Sequence, residues 1–163
     1  MSETAKCRSV LAQYCNGDGV DLGYGGDAIV PWAICVDLKS PYTRVGNHPR
    51  HLSGDASNLF WFNDCALDWV YSSHLLEDFS DTSSVLREWI RVIKPGGRLI
   101  LYCPDQKRYE AHCRSIGERP NEHHKIHNFS LKYVADILNA MDVKILHQHE
   151  DLYSFGIVAE RLS

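Results

Sequence analysis

Three acidic residues and one glycine turn stand where short apolar runs of the chain end. Asp37 ends the second apolar run, Asp55 follows the third, and Asp21 precedes the turn Gly23-Tyr24-Gly25-Gly26. If these runs are parallel strands, their carboxyl ends meet at one edge of a sheet, where open α/β proteins bind ligands. A carboxylate after the second strand could accept from ribose hydroxyls, and one after the third could accept from an adenine amino group. Asp21 could orient an ammonium group.

The glycine turn is open to three interpretations. Glycine lets the backbone reverse sharply and lets a ligand approach the amide groups, although a tight turn alone explains it too. Gly23-x-Gly25-x-x-Ala28 also fits the dinucleotide fingerprint, which requires a helix after the turn and an acidic residue about 20 positions on. Asp37 comes 14 residues after Gly23, and Pro31 interrupts the interval. The pattern therefore favours an elongated ligand with an amino acid at one end and a nucleoside at the other.

The elements that must position these residues alternate between strands and helices. Apolar runs near residues 20–22, 33–36, 50–53, 66–72 and 98–102 predict five strands, and runs at 143–149 and 152–160 predict an antiparallel hairpin. This pattern indicates a single-domain α/β fold: a Rossmann-like, seven-stranded, mostly parallel sheet with a C-terminal antiparallel hairpin and helices on both faces.

Three helices are predicted from apolar periodicity and capping residues. Cys7, Val10, Leu11 and Tyr14 share one helical face near the N-terminus. Asp81 and Ser130 are suited to cap the second and third helices, because their side chains can accept from free amide groups. Lys94-Pro95-Gly96-Gly97 should end the second helix. Residues 104–129 are polar and rich in histidine, and we expect them to be irregular.

Length and composition limit the classes of function. The 163 residues form one expected domain, with 18–103 as the ligand-binding part, 104–129 as an acceptor loop and 130–163 as the closing helix and hairpin. A net charge of −4 without a basic block argues against nucleic-acid binding, and no apolar run is long enough to span a membrane. The six cysteines contain no Cys-x-x-Cys pair, which favours reduced thiols in the cytoplasm.

Several blocks together resemble one family. Val20-Asp21-Leu22-Gly23-Tyr24-Gly25-Gly26-Asp27, Cys35-Val36-Asp37-Leu38 and Gly54-Asp55-Ala56 are similar to three cofactor motifs of class I S-adenosylmethionine-dependent methyltransferases. Leu86-Arg87-Glu88-Trp89-Ile90-Arg91-Val92-Ile93-Lys94-Pro95-Gly96-Gly97 strongly resembles the helix and turn before the fifth strand in the methyltransferase type 11 group. The resemblance extends over residues 18–105.

The resemblance implies S-adenosylmethionine as the cofactor. Three features depart from the family pattern: Asp27 replaces a usual glycine, the helix after the glycine turn is nearly absent, and Asp78 stands where many relatives have histidine. The residues expected to bind the cofactor are Asp21, Gly23, Tyr24, Gly25, Asp37, Leu38, Asp55, Ala56 and Ser72.

Candidate residues for the chemistry follow the fourth and fifth strands. His74 could accept a proton from the acceptor, and Asp105 could face the acceptor, although a helix-start histidine and a turn-forming aspartate are the ordinary alternatives. His123, His124 and His127 are candidate acceptor-binding residues. We predict no metal site, because no cysteine or carboxylate pair beside these histidines has clear ligand spacing.

The sequence thus predicts methyl transfer to a small-molecule or carbohydrate-like acceptor. The first alternative is a cofactor-binding module without catalysis, or a subunit that needs a partner. The second is an NAD(P)-dependent oxidoreductase. A homo-oligomer or a partner protein could complete the acceptor site, but the sequence identifies neither the acceptor nor its attacking atom.

Overall fold

A seven-stranded sheet forms the centre of the computed structural model, which describes residues 1–163. The strand order is β3-β2-β1-β4-β5-β7-β6. The first five strands run parallel, and β7 and β6 are antiparallel to their neighbours. The strands are β1 (Gly19–Leu22), β2 (Ile34–Asp37), β3 (Leu52–Ser53), β4 (Leu67–Ser73), β5 (Ile93–Pro104), β6 (Val143–Glu150) and β7 (Ser154–Arg161).

The strand order reverses direction beside β1, and this reversal creates a crevice. The chain proceeds outward from β1 through β2 to β3, then returns to pair β4 on the other side of β1. Ligands of open α/β sheets bind beyond the carboxyl ends of the strands at such a point. The predicted fold class, including the C-terminal hairpin, is confirmed.

Four α-helices accompany the sheet, and none of them is long and apolar enough to cross a membrane. The side chains of Asp81 and Ser130 accept from amide groups in the first turns of two helices, as predicted. The helices are α1 (Glu3–Leu11), α2 (Thr82–Val92), α3 (Gln106–Ile116) and α4 (Leu131–Asn139).

The expectation of an irregular segment over residues 104–129 is wrong for its first half, which contains α3. Asp105 caps this helix by accepting from the Arg108 amide, and Gly117 ends it in the left-handed conformation. Asp105 and Gly117 are the features of the sequence from which this helix could have been predicted. The helix exposes most of its polar side chains and buries only Gln106 and Cys113, so it lacks the apolar periodicity on which the prediction depended.

The two faces of the sheet carry two separate cores. Alternate residues of each strand point to opposite faces, so β5 sends Leu99 and Leu101 to one core and Ile100 to the other. Helices α2 and α4 cover the first face. Helix α1 and residues 24–33 cover the second, where Trp69 and Tyr71 of β4 are fully buried.

No helix separates β1 from β2, as the short interval predicted. The chain instead turns through three glycines with positive φ, Gly23, Gly25 and Gly26, and then lies against the connection between β2 and β3. Val45 and His48 of that connection donate to the carbonyl groups of Gly25 and Gly26 at 2.8 and 2.9 Å. The glycine turn is therefore held by a loop that is remote in sequence.

Replacing Gly26 by alanine should destabilise the fold, because an added Cβ would lie 2.2 Å from the Gly46 carbonyl oxygen. We expect Gly26→Ala to lower the free energy of unfolding by about 2 kcal/mol or more, measured by urea denaturation. Gly117→Ala is the matched control, since its φ is also positive but nothing lies within 4 Å. Equal losses for the two variants would contradict the close approach of the two loops.

Candidate functional site

A cavity of about 530 Å³ opens at the carboxyl ends of four parallel strands. Such a volume lies within the range of pockets that hold small ligands and cofactors. Residues after β1, β2, β3 and β4 line it, so the four strand ends converge as the sequence predicted. The lining residues from these ends are Gly23, Tyr24, Gly25, Asp37, Leu38, Gly54, Asp55, Ala56, Ser73, His74 and Leu75.

Asp37 joins the end of β2 to the glycine turn. Its Oδ2 accepts from the Gly25 amide at 3.1 Å, and its Oδ1 accepts from the Leu38 amide at 2.8 Å. Burial raises the pKa of Asp37, and these two amide hydrogen bonds oppose the rise. Each carboxylate oxygen can accept more than one hydrogen bond, so the group can still receive ligand hydroxyls.

The predicted adenine side of the cavity consists of Leu38, Asp55 and Ala56. The Asp55 Oδ1 accepts from the Ser57 amide at 2.8 Å, which orients the carboxylate at the end of β3. Leu38 is 46% exposed and Ala56 is almost fully buried, and both line the cavity. An apolar wall beside an oriented carboxylate suits a flat ring that carries an amino group.

Two predicted cofactor ligands, Asp21 and Ser72, do not line the cavity. Asp21 points to the α1 face of the sheet, is fully buried, and accepts through Oδ2 from the Ile29 amide at 2.7 Å. Ser72 is buried and donates to the Leu22 carbonyl at 3.1 Å. Neither side chain reaches the cavity as expected: Asp21 and Ser72 instead hold the backbone beside the glycine turn, through the Ile29 amide and the Leu22 carbonyl.

His74 lines the cavity in a strained backbone conformation with φ of 48°. Its Nε2 lies 3.0 Å from Ser154 Oγ and 3.5 Å from Glu3 Oε2. Burial lowers the pKa of His74 to about 4, against the opposing effect of the Glu3 carboxylate. The imidazole is therefore neutral at pH 7.

The remaining wall of the cavity comes from three segments outside the strand ends. The start of the chain contributes Glu3, the connection between β2 and β3 contributes Tyr42, and the segment after α3 contributes His123. The Tyr42 and His123 rings stack with centroids 4.3 Å apart. Beyond Leu38, the contribution of the β2–β3 connection was missed in the sequence, because residues 39–51 carry no motif.

The other candidate residues of the second half lie outside this lining. Asp105 caps α3, and His127 is exposed. His124 is buried behind the wall, where its Nδ1 lies 2.7 Å from Gln106 Oε1. Of the three histidines expected to bind the acceptor, only His123 lines the cavity.

Glu77 and Asp78 form an acidic pair that sequence reasoning missed. Glu77 is fully buried, and Asp78 lines the cavity and accepts from the Tyr42 hydroxyl. Burial raises the pKa of the Glu77 carboxyl well above its usual range. Only the unusual Asp78 was noticed in the sequence, because nothing local indicates that a glutamate will be buried.

Comparison with known families identifies the family to which this fold belongs. A family model described as a methyltransferase domain matches residues 20–101, which is half of the chain. The chain belongs to the methyltransferase domain family. This confirms the class I methyltransferase resemblance, and S-adenosylmethionine is the cofactor of the class. The strand-end cavity with its positive-φ glycines and its carboxylates Asp37 and Asp55 fits such a cofactor.

Individual members of the methyltransferase domain family are distant relatives. A demethylmenaquinone methyltransferase of Mycolicibacterium paratuberculosis is 36% identical over 72 residues, which is 43% of this chain and 31% of that protein. The chain thus matches about a third of the length of this curated relative.

Solved structures share the fold at low sequence identity. A SAM-dependent methyltransferase of Thermotoga maritima superposes with a TM-score of 0.71 at 18% identity, covering 99% of this chain and 88% of that one. A Haloferax volcanii methyltransferase in complex with the activator Trm112 gives a TM-score of 0.71 at 16% identity, with coverage of 99% and 89%. At such low sequence identity, these superpositions show that the chain shares the fold of these proteins and nothing more.

The buried Asp21 should make the stability of the protein depend on pH. Burial raises its pKa well above the usual value, so the folded state holds this proton more tightly than the unfolded state. Stability from this group is therefore greatest below the ordinary aspartate pKa and is lost as pH rises toward the folded-state pKa. Each unit by which the pKa is raised corresponds to about 1.4 kcal/mol.

We expect Asp21→Asn to lose less unfolding free energy than the wild type as pH rises above the ordinary aspartate pKa, measured by urea denaturation. Asp136→Asn is the control, because that carboxylate is exposed on α4. If both variants keep the wild-type pH dependence, Asp21 does not retain a proton in the folded state.

Proposed function

We propose that this protein transfers a methyl group from S-adenosylmethionine to a small, hydroxyl-bearing acceptor of carbohydrate-like chemistry. The observation that carries the proposal is the single cavity that joins the Asp37–Asp55 side to His74. One end supplies groups for a nucleoside, and the other supplies polar groups for an acceptor. In-line displacement requires this adjacency, because positioning provides much of the rate acceleration.

The cofactor-binding part of the proposal rests on the strand ends. Asp37 would accept from the ribose hydroxyls, Asp55 from the adenine amino group, and Leu38 with Ala56 would contact the ring. Gly23 and Gly25 bring the backbone close to the methionine end without side chains in the way. Bound there, S-adenosylmethionine supplies an electrophilic methyl group on a sulfonium that is already a good leaving group.

The acceptor class is inferred from the polar wall of the cavity. Asp78, Asn121 and Lys125 offer acceptors and donors, and the stacked Tyr42 and His123 rings offer a flat contact. Hydrogen-bonding groups around a flat aromatic surface suit a hydroxyl-rich ring. The size of the cavity favours a small acceptor over a macromolecule, since the cofactor must share it.

His74 is proposed to orient the acceptor hydroxyl and to receive its proton. A neutral imidazole can accept, and the ring lies at the end of β4 on the cavity wall. Its left-handed backbone conformation supports a functional role, since strain of this kind clusters at active sites.

The alternatives differ in how well the cavity suits them. A dinucleotide would need a helix N-terminus at the glycine turn for its pyrophosphate, and no helix follows that turn. A module that needs a partner protein remains the second candidate, because the related fold from Haloferax volcanii is paired with an activator. Cofactor binding without transfer by the isolated chain would favour this candidate.

Isothermal titration with S-adenosylhomocysteine tests the cofactor site. We expect Asp37→Ala to weaken binding by about 1–3 kcal/mol, because charge-assisted hydrogen bonds are lost. Asp136→Ala should bind like the wild type. No heat of binding at about millimolar ligand with folded wild-type protein would overturn the cofactor assignment, since a millimolar dissociation constant is already only about −4 kcal/mol.

Release of S-adenosylhomocysteine during incubation with monosaccharides, sugar phosphates and catechol tests the transfer step. For any acceptor that turns over, His74→Asn should lower kcat by about 10²–10⁴-fold, the usual contribution of a positioned base. Asparagine is chosen because it tolerates the left-handed backbone at this position. An unchanged kcat in a variant that binds S-adenosylhomocysteine normally would remove His74 from the mechanism.

A further inference from the structure

We propose that Glu77, Asp78 and His124 bind a divalent transition-metal ion beside the cavity. The three side chains each present one ligand atom, and these atoms lie within 4.8 Å of one another. Ligand atoms about 2.0–2.2 Å from a common ion lie at most about 4.4 Å apart. Glu77 Oε1 and His124 Nε2, which are 3.6 Å apart, meet this limit. The site goes beyond methyl transfer, which does not itself require a metal.

The Glu77 carboxylate is the first observation that points to a cation. Its side chain is 0% exposed, and neither oxygen has a hydrogen-bond partner. No lysine or arginine pairs with it; the nearest basic groups are the rings of His124 and His74. An ionised carboxylate without compensation in the interior is costly, so the group requires either a proton or a cation.

The orientation of His124 is the second observation. Gln106 donates through Nε2 to Glu110 Oε1 at 2.9 Å, which directs its Oε1 toward His124 Nδ1 at 2.7 Å. Because that oxygen can only accept, Nδ1 of His124 carries the hydrogen and Nε2 presents its lone pair. The Nε2 atom of His124 lies 3.6 Å from Glu77 Oε1.

Two lone-pair donors that face each other at this distance repel unless something positive lies between them. A metal-bound histidine characteristically donates its other ring N–H to a fixed acceptor, which is the role Gln106 has here. Asp78 adds a third donor: its Oδ1 is buried and has no hydrogen-bond partner, while its Oδ2 accepts from Tyr42.

The donor set indicates the class of ion. Two carboxylates and one imidazole suit Zn²⁺, Mn²⁺, Fe²⁺ or Co²⁺, whereas Ca²⁺ prefers oxygen ligands alone. Two carboxylates also balance the charge of a divalent ion. His74 Nδ1 lies 4.0 Å from the same Glu77 oxygen, and Asp78 and His74 both line the cavity. The ion would therefore lie against the cavity wall.

The sequence predicted no metal site, because the ligands are separated along the chain. Glu77 and Asp78 follow β4, and His124 comes 47 residues later in the segment after α3. The backbone of that segment is fixed to this point, since the Lys125 amide donates to the Glu77 carbonyl at 2.9 Å.

The test is a metal titration of the full chain after dialysis against a chelator. Zn²⁺ affinity is measured by competition with a chromophoric chelator, and stoichiometry by elemental analysis. Co²⁺ provides a spectroscopic signature of the coordination sphere. We expect one ion per chain, with Glu77→Gln and His124→Gln each weakening affinity by more than about 100-fold. Gln106→Leu should weaken it by about 10–100-fold, as an outer partner does.

Two exposed residues of the same segment provide matched controls. Glu122→Gln and His127→Gln make the same chemical changes outside the cluster and should bind like the wild type. S-adenosylhomocysteine titration and circular dichroism verify that each variant is folded. The proposed site is overturned if the folded wild-type protein takes up no metal. It is also overturned if the cluster variants and the controls bind the metal equally, since this would mean adventitious binding by other histidines.

Discussion

The turn after β1 depends on the hydrogen bond between the Ile29 amide and the buried carboxyl group of Asp21. In this protein no helix follows the turn, so side chains support it together with the backbone hydrogen bonds from the β2–β3 connection. Arg8 of α1 completes the support: it contacts Asp27 at 2.6 Å and the carbonyl groups of Ala28 and Ile29. Asp27, which departs from the family pattern, thus anchors the helix that covers this face of the sheet.

This constraint determines which residues reach the cavity. Once the turn is fixed, Gly25 donates to Asp37, and the ends of β1 and β2 are held together. The connection between β2 and β3 then packs on Gly25 and Gly26 and contributes Tyr42 to the lining of the cavity. A glycine turn without its own helix therefore supports both the strand-end side of the cavity and the wall that contains Tyr42.

The wall of the cavity around His74 is unusual in its buried carboxyl groups. Glu3 lies beside His74, and Asp78 lines the same wall with Glu77 buried next to it. Both oxygens of Glu77, and one oxygen each of Glu3 and Asp78, are buried without a hydrogen-bond partner, which opposes folding. A fold tolerates such groups at functional sites, where ligands or ions compensate them. The N-terminal helix, the segment after α3 and the strand ends meet here, so the cavity is built from segments far apart in the sequence.

The sequence by itself determined the sheet, the glycine turn and the positions of Asp37 and Asp55, because strand periodicity and turn chemistry are local. It also placed His74 correctly at the end of β4. Only the tertiary structure decided that Asp21 and Ser72 face away from the cavity, because both faces of these buried strands are apolar and no alternation marks them. It likewise decided that His124 meets Glu77, since that contact depends on how a polar segment packs, and such packing leaves no periodic signal in the residues.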